Sequence, residues 1–284
     1  MKSFLLFISL LIISTYMPAQ SAAANDSILY KWIPLGVAGF NVSQIAFTNW
    51  TQGGENNITW TGTGNFGLRY KTVSYLFFND LKLAYGRTKT GDEDFRTNNN
   101  ELYLETVLSR SIGWALDPYI SNTIRTNIAA GYEYSDTSAI EISNFFDPGY
   151  VTQSIGFSYD KVKGLNTRIG VAFQEVFTNK FKQYADDPET NDEVEDFKFE
   201  TGLESVTSLA YPLQDNLLLD SKLRLFTRFD HLDVWDVRWD NTITAVISKY
   251  VNVNLNILTL YEKSQSPKTQ LKQALLLGLT YNIF

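Results

Sequence analysis

Residues 270–284, QLKQALLLGLTYNIF, alternate between two kinds of side chain at every step. The odd-numbered positions are mostly apolar, whereas the even-numbered positions include Lys272, Gly278, Thr280 and Asn282. Successive side chains of a β-strand point to opposite faces, so this period of two predicts a strand with one apolar face. The stretch ends on an aromatic residue, Phe284, which favours a last strand that closes a barrel against the first.

Eleven segments upstream show the same alternation. The predicted strands are 36–49, 58–70, 75–87, 100–110, 118–134, 150–159, 165–177, 197–211, 216–229, 234–247, 251–261 and 270–284. An even number of strands is usual for single-chain bacterial barrels. The fold class that we predict is therefore all-β, a transmembrane antiparallel β-barrel of about twelve strands in the cell outer membrane.

The connections between the predicted strands alternate in length. Short ones fall at 71–74, 111–117, 160–164, 212–215 and 248–250, and long polar ones at 50–57, 88–99, 135–149, 178–196 and 262–269. The connection 230–233 is short where a long one is expected. Outer-membrane barrels have tight periplasmic turns and longer external loops. A soluble β-sandwich also alternates apolar and polar positions, but it has no reason to sort its loops by length.

The N-terminus has the order of a secretory signal. Lys2 precedes the largely apolar run 4–13, and small residues follow at Ala19 and Ala24. A membrane anchor helix is the alternative, but it would need about 20 apolar residues. We predict a signal peptide at 1–24 with cleavage after Ala19 or Ala24, a short periplasmic lead-in at 25–35, and the barrel at 36–284.

The composition argues against several other classes of protein. The 284 residues include no cysteine and one histidine, and the formal net charge is −7. A chain without cysteine has no disulfide framework, and a mildly acidic chain lacks the basic stripes that nucleic-acid binding requires. The sequence therefore favours an envelope protein whose stability comes from backbone pairing and packing.

The polar faces of the predicted strands carry charges of both signs. The candidates for lining the lumen are Glu101, Glu105, Arg125, Arg168, Glu200, Glu204, Arg224, Arg228 and Arg238. One interpretation is a charged eyelet that selects a solute. The other is a ladder of ion pairs between neighbouring strands that fills a narrow barrel. Three arginines on the ninth and tenth strands mark where an anion-preferring patch would lie.

Catalysis and metal binding have little support in the sequence. The single histidine, His231, is the base that a Ser-His or Asp-His hydrolase would need, but no nucleophile is evident beside it. With one histidine and no cysteine, a zinc site is not expected. The acidic runs 92–94 and 186–196 favour hydrated loops over a site for divalent cations. We predict no enzyme activity, no metal and no cofactor.

A short motif adds a family resemblance. The sequence WTQGGEN at residues 50–56 resembles the Trp-x-x-Gly-Gly-x-Asn signature of an uncharacterised outer-membrane family, a domain of unknown function chiefly from Bacteroidetes-type bacteria; its motif positions are Trp50, Gly53, Gly54 and Asn56. The resemblance implies an outer-membrane barrel and no assigned activity, and the motif itself fits a glycine-rich turn. The closing residues 278–284 also resemble the signal that the barrel assembly machinery reads.

These observations leave two functions from different classes open. The first is a channel or passive transporter for a small solute, and the second is a filled structural or partner-binding barrel of an envelope complex. A barrel hydrolase based on His231 is the least favoured. The partners expected for any of them are outer-membrane lipid, lipopolysaccharide and the assembly machinery, with no nucleic acid; a protein partner is left open.

Overall fold

The computed structural model describes residues 29–49, 54–135, 138–186, 194–263 and 268–283. The strands are β1 Trp32–Ile45, β2 Asn57–Lys71, β3 Tyr75–Thr90, β4 Arg96–Arg110, β5 Asp117–Thr126, β6 Gly131–Tyr134, β7 Ala139–Ser143, β8 Gly149–Val162, β9 Leu165–Phe177, β10 Phe197–Gln214, β11 Leu217–Arg228, β12 Asp236–Val246, β13 Val251–Tyr261 and β14 Gln270–Asn282. A 3-10 turn, Lys182–Tyr184, lies between β9 and β10. None of the helical structure in these ranges is long and apolar enough to span a membrane.

Twelve of the strands form one closed antiparallel barrel. Each pairs with its neighbour in the order β1-β2-β3-β4-β5-β8-β9-β10-β11-β12-β13-β14, and β14 pairs with β1 to close the ring. β6 and β7 form a separate two-stranded hairpin. The predicted fold class and strand number are confirmed. We call the end that holds the start of β1 and the end of β14 the periplasmic end, and the opposite end, with the long loops, the outer end.

The alternation places the apolar face outside the barrel. On β14, the outward side chains of Leu275 and Leu277 are 66% and 55% exposed. Neighbouring outward positions on β1 and β2 carry Phe40 and Trp60, whose rings stack with centroids 6.2 Å apart. An apolar exterior on a closed barrel suits a lipid environment, because closure pairs most of the backbone groups. The protein is therefore an outer-membrane β-barrel.

Several strand boundaries differ from the predicted ones, and the largest difference falls at the fifth predicted strand. The predicted strand 118–134 is wrong beyond Thr126. There the side-chain oxygen of Asn100 on β4 accepts hydrogen bonds from the amides of Ile128 and Ala129, at 2.9 and 3.0 Å. The chain then leaves the wall and forms β6. At the N-terminus, β1 begins at Trp32 rather than at residue 36, so the end of the predicted lead-in belongs to the wall. The predicted signal peptide and its cleavage sites lie outside the described residues.

A pair of glycines shapes the wall at β8 and β9. Gly156 and Gly170 face each other directly across the two strands. A Cβ on Gly156 would lie 2.1 Å from the carbonyl oxygen of Ile169, and one on Gly170 would lie 2.9 Å from the hydroxyl of Tyr119. Glycine in a strand marks a close backbone approach or a tight bend of a barrel. Here the nearest atoms to both positions belong to the backbone of the facing strand, so the two glycines allow β8 and β9 to approach closely.

Candidate functional site in the barrel interior

The centre of the barrel is crossed by ion pairs between strands that are not neighbours. Glu105 on β4 accepts a hydrogen bond from Arg168 on β9 at 2.6 Å and another from Lys222 on β11 at 2.7 Å. The same lysine donates to the hydroxyl of Tyr103 at 2.8 Å. Because β4 is adjacent to neither β9 nor β11 in the wall, these contacts run through the lumen.

One further pair spans the full width of the bore. β4 and β12 stand six positions apart in the ring of twelve, on opposite sides of the barrel. Arg238 on β12 nevertheless reaches Glu101 on β4, with 2.7 Å between the charged atoms. We call the set that crosses the bore the septum; its members are Glu101, Tyr103, Glu105, Arg168, Lys222 and Arg238.

The remaining charged candidates form a ladder between adjacent strands. Arg224 on β11 donates to Glu204 on β10 at 2.7 Å, and also to Gln174 on β9 at 3.0 Å. Arg228 contacts Glu200 at 2.6 Å and Asp236 at 3.1 Å. Opposite charges on neighbouring strands stabilise their pairing, so this arc of the wall is rigid.

Arg125 sits apart from both sets, near the outer end. Its guanidinium lies 4.5 Å from the centre of the Tyr150 ring and 4.0 Å from a carboxylate oxygen of Glu262. The nine predicted lumen residues thus all face inward, divided between the septum, the ladder and this outer position.

The part of the septum around Glu105 is desolvated, which makes the pairing there obligatory. Glu105 and Arg168 are only 5% and 4% exposed. Removing one partner from a buried ion pair leaves an uncompensated charge, which costs about 3–5 kcal/mol. The Nε atom of Arg168 is buried and has no partner in the described residues, so even here one donor of the cluster is unsatisfied.

Cavities lie on both sides of the septum. A cavity of 520 Å³ opens at the periplasmic end, and Glu105, Arg168 and Lys222 line it. A second cavity of 390 Å³ opens at the outer end, and Glu101 and Arg238 line it. No described residue lines both cavities. The septum is therefore the boundary between two vestibules.

The arc of the wall from β12 through β13 and β14 to β1, next to the ladder, is lined mainly by amides and hydroxyls. Asn254 on β13 donates to Asn41 on β1 at 3.2 Å, and Asn252 donates to Thr280 at 3.0 Å. Thr244 on β12 donates to Asn254 at 3.0 Å. Sequence reasoning concentrated on charges and left this arc out of the candidate site. The sequence does contain a sign of this arc, because Asn252, Asn254 and Asn256 fall at every second position and therefore on one face of a strand.

The motif next to β1 has a structural role where it is described. The side-chain oxygen of Asn56 accepts a hydrogen bond from the amide of Phe47 at 2.7 Å, which ties the two ends of the first outer loop together. Gly54 has φ of +119° and lies against the ring of Phe47, with no room for a Cβ. Trp50 and Gly53 lie outside the described residues.

The remaining candidates form no site in the described parts of the chain. The His231 side chain is exposed, and no described residue makes a hydrogen bond or ion pair with its ring; only its backbone is bonded, to Arg228, Val234 and Thr227. No group of three or more His, Cys, Asp or Glu residues positioned to hold a metal occurs among the described residues. Residues 187–193 of the second acidic run are not described.

A family profile described as "Protein of unknown function (DUF3078)" matches residues 42–132, about a third of the chain. No curated protein matches the sequence.

Solved structures with similar architecture are outer-membrane barrels. The translocator domain of an autotransporter from Neisseria meningitidis is 11% identical, over 90% of this chain and 91% of that one, with a TM-score of 0.37. An outer-membrane channel from Pseudomonas putida F1 is 12% identical over 88% and 94%, with a TM-score of 0.39. A monoaromatic hydrocarbon channel is 7% identical over 90% and 89%, with a TM-score of 0.35. None of these likenesses transfers a ligand or an activity to this chain.

Proposed function

We propose that this barrel is an outer-membrane channel for a small polar solute and that the septum holds it shut. The observation that carries the proposal is the contact between Arg238 and Glu101, which joins opposite walls of the barrel between two open vestibules. A barrel that served only as a filled scaffold would need no cavity of several hundred Å³ at each end.

The contact between Arg238 and Glu101 can break without leaving Arg238 unpaired. Arg238 contacts Asp240 on its own strand at 2.8 Å, in addition to Glu101 across the bore. Asp240 is half-exposed and lines the periplasmic vestibule. When the pair with Glu101 breaks, Arg238 keeps a partner on its own wall. The cost of opening is therefore lower than the cost of leaving a buried charge alone.

The test is single-channel conductance of the refolded protein in a planar bilayer. We expect rare openings from the wild type, and larger and more frequent openings from the double variant Glu101→Ala/Arg238→Ala. The matched control is Arg69→Ala/Asp80→Ala, which removes an ion pair of 2.7 Å between the adjacent strands β2 and β3. Because that pair does not cross the bore, its removal should leave the opening frequency unchanged.

A filled structural barrel is the second candidate, and the burial of Glu105 and Arg168 favours it. In that case the Glu101→Ala/Arg238→Ala variant would fold and still not conduct. A protein that co-purifies with the wild type would then point to an envelope complex. We propose no catalytic role, and the exposed ring of His231 gives a hydrolase no support.

A further inference from the structure

The seam at which the barrel closes is paired over only part of its height. β14 spans Gln270–Asn282, but only its residues 277–282 pair with β1, opposite Val37–Val42. β1 itself continues to Ile45 and stays paired with β2 up to that residue. The two strands therefore separate in the outer half of the wall, above Val42.

The separation leaves a backbone edge at the level of the lipid. Within the described part of the chain, no backbone hydrogen bond joins residues 270–276 to β1. Leu271 and Leu275, on the outward face of this segment, are exposed to the surroundings of the barrel. An unpaired backbone group in hydrocarbon costs on the order of several kcal/mol, so a polar group or water must reach this edge.

A cavity of 340 Å³ lies behind the gap. Five consecutive residues of β14, 272–276, line it, so the cavity meets both faces of the strand. Successive residues of a strand face opposite sides, so a cavity confined to the bore would be lined by every second residue only. This cavity therefore runs past the free edge of β14, and it shares Asn98, Asn99 and Lys272 with the outer vestibule.

The inner wall of this cavity is built for a polar group. It presents hydroxyls and amides from Ser43, Thr59, Thr61, Thr88, Asn98 and Asn99. Among the described residues that line it, Lys272 is the only charged one, and its ammonium donates to the carbonyl of Asn98 at 2.8 Å. The side-chain oxygen of Asn98 is buried and accepts no hydrogen bond from a described residue.

We infer that the gap between β1 and β14 is a lateral portal and that this cavity takes the polar head of a membrane lipid. The head carries hydroxyls, which the threonine and asparagine side chains bind, and one negative charge, which Lys272 binds. The acyl chains stay in the bilayer beside Leu271 and Leu275. This inference goes beyond the channel and does not require the septum to open.

A free strand edge can also bind an extended peptide by strand addition. The cavity favours a lipid, because it is small and lined by hydroxyls, amides and one ammonium group rather than by pockets for alternate side chains. A bound peptide is nevertheless an outcome that the experiment must distinguish.

The first measurement is native mass spectrometry of the intact barrel after exchange into mixed micelles of phosphatidylglycerol and phosphatidylcholine. We expect the wild type to retain phosphatidylglycerol over phosphatidylcholine by about fivefold, the size of one lysine's attraction to an anionic lipid. Lys272→Ala should lose this preference. The control Lys82→Ala removes an inward-facing lysine of the periplasmic vestibule and should keep it. Equal retention of the two lipids by the wild type, or a bound peptide mass, would overturn the inference.

The second measurement closes the portal. The chain has no native cysteine, so Gln44→Cys/Leu275→Cys can form a disulfide only across the gap, whereas Val42→Cys/Leu277→Cys bridges residues that are already paired. We expect the cysteines of Val42→Cys/Leu277→Cys to form a disulfide readily and those of Gln44→Cys/Leu275→Cys to form one slowly. Once oxidised, the Gln44→Cys/Leu275→Cys variant should release its lipid, and reduction should restore lipid binding. Equally fast oxidation of both pairs with unchanged lipid retention would contradict a portal.

Discussion

At the scale of single residues, Glu105 holds the septum together because it is shared by two cations from different walls. Its two carboxylate oxygens accept from Arg168 and Lys222, at 2.6 and 2.7 Å. A glutamine would keep the shape, but its amide nitrogen donates where one carboxylate oxygen accepted, and two positive charges would face each other in a desolvated interior. The strength of the septum therefore depends on charge, not on shape.

We accordingly expect Glu105→Gln to lower the free energy of unfolding by about 3–5 kcal/mol, the cost of breaking a buried ion pair. The matched control is Glu93→Gln, since Glu93 pairs with Arg96 at 3.1 Å on the surface. An exposed pair contributes about 0–1 kcal/mol. Guanidinium unfolding of both variants in lipid vesicles, followed by intrinsic fluorescence, provides the comparison. Equal losses would show that the Glu105 cluster is not desolvated.

The sequence identified which of these residues face inward, but not which of them meet. Period-two alternation fixes the face of Glu101 and Glu105 once β4 is recognised as a strand. Their partners lie on strands more than sixty residues away along the chain, and the stagger of the strands around the ring decides which side chains share a level. Tyr103 has the same parity as both glutamates, yet only the assembled barrel shows that its hydroxyl accepts from Lys222.

At the scale of elements, the alternation located every strand of the wall but did not always fix where it ends. The bounds 165–177 and 251–261 agree with β9 and β13. The prediction failed at 127–134, where the alternation continues but the chain leaves the wall. There the Asn100 side chain accepts from two consecutive backbone amides, which therefore need no partner strand. A long-range side-chain contact of this kind leaves no mark on local periodicity.

The glycine pair between β8 and β9 gives an element-scale prediction. Gly156→Ala places a Cβ 2.1 Å from a backbone oxygen of β9, so the two strands must move apart. We expect a loss of stability of about 1–3 kcal/mol, as for overpacking in a rigid interior, or failure to form the compact barrel band in unheated gels.

The control for that variant is Gly62→Ala on β2. Its Cβ would find its nearest neighbour, a backbone oxygen, at 3.9 Å. We expect its unfolding midpoint and its heat-modifiable migration to match those of the wild type. If Gly156→Ala were equally silent, the close approach of β8 and β9 would not be a constraint on the fold.

At the scale of the whole molecule, the count of alternating segments and the rhythm of their loops were enough to predict a closed barrel of twelve strands. They also predicted that the last strand closes the ring against the first, but not the register or the extent of that pairing. The register of β1 against β14 depends on the stagger accumulated over all twelve strands, and no single segment records it. The split seam and the septum both follow from that stagger, which is why neither was expected from the sequence.

The position of the barrel in the bilayer gives the last prediction, because it depends on the outer face as a whole. Leu277 lies midway along β14 and points outward, 55% exposed. An arginine at the midplane of a barrel's lipid face costs about 2–4 kcal/mol, and one near the interface about 0–1 kcal/mol. We therefore expect Leu277→Arg to destabilise the barrel by the larger amount and Tyr281→Arg, near the periplasmic end of the same face, by the smaller. Unfolding free energies in phosphatidylcholine vesicles measure both. If the two arginines lower the free energy of unfolding equally, Leu277 and Tyr281 do not lie at different depths among acyl chains. The apolar face would then have to be buried against something other than lipid.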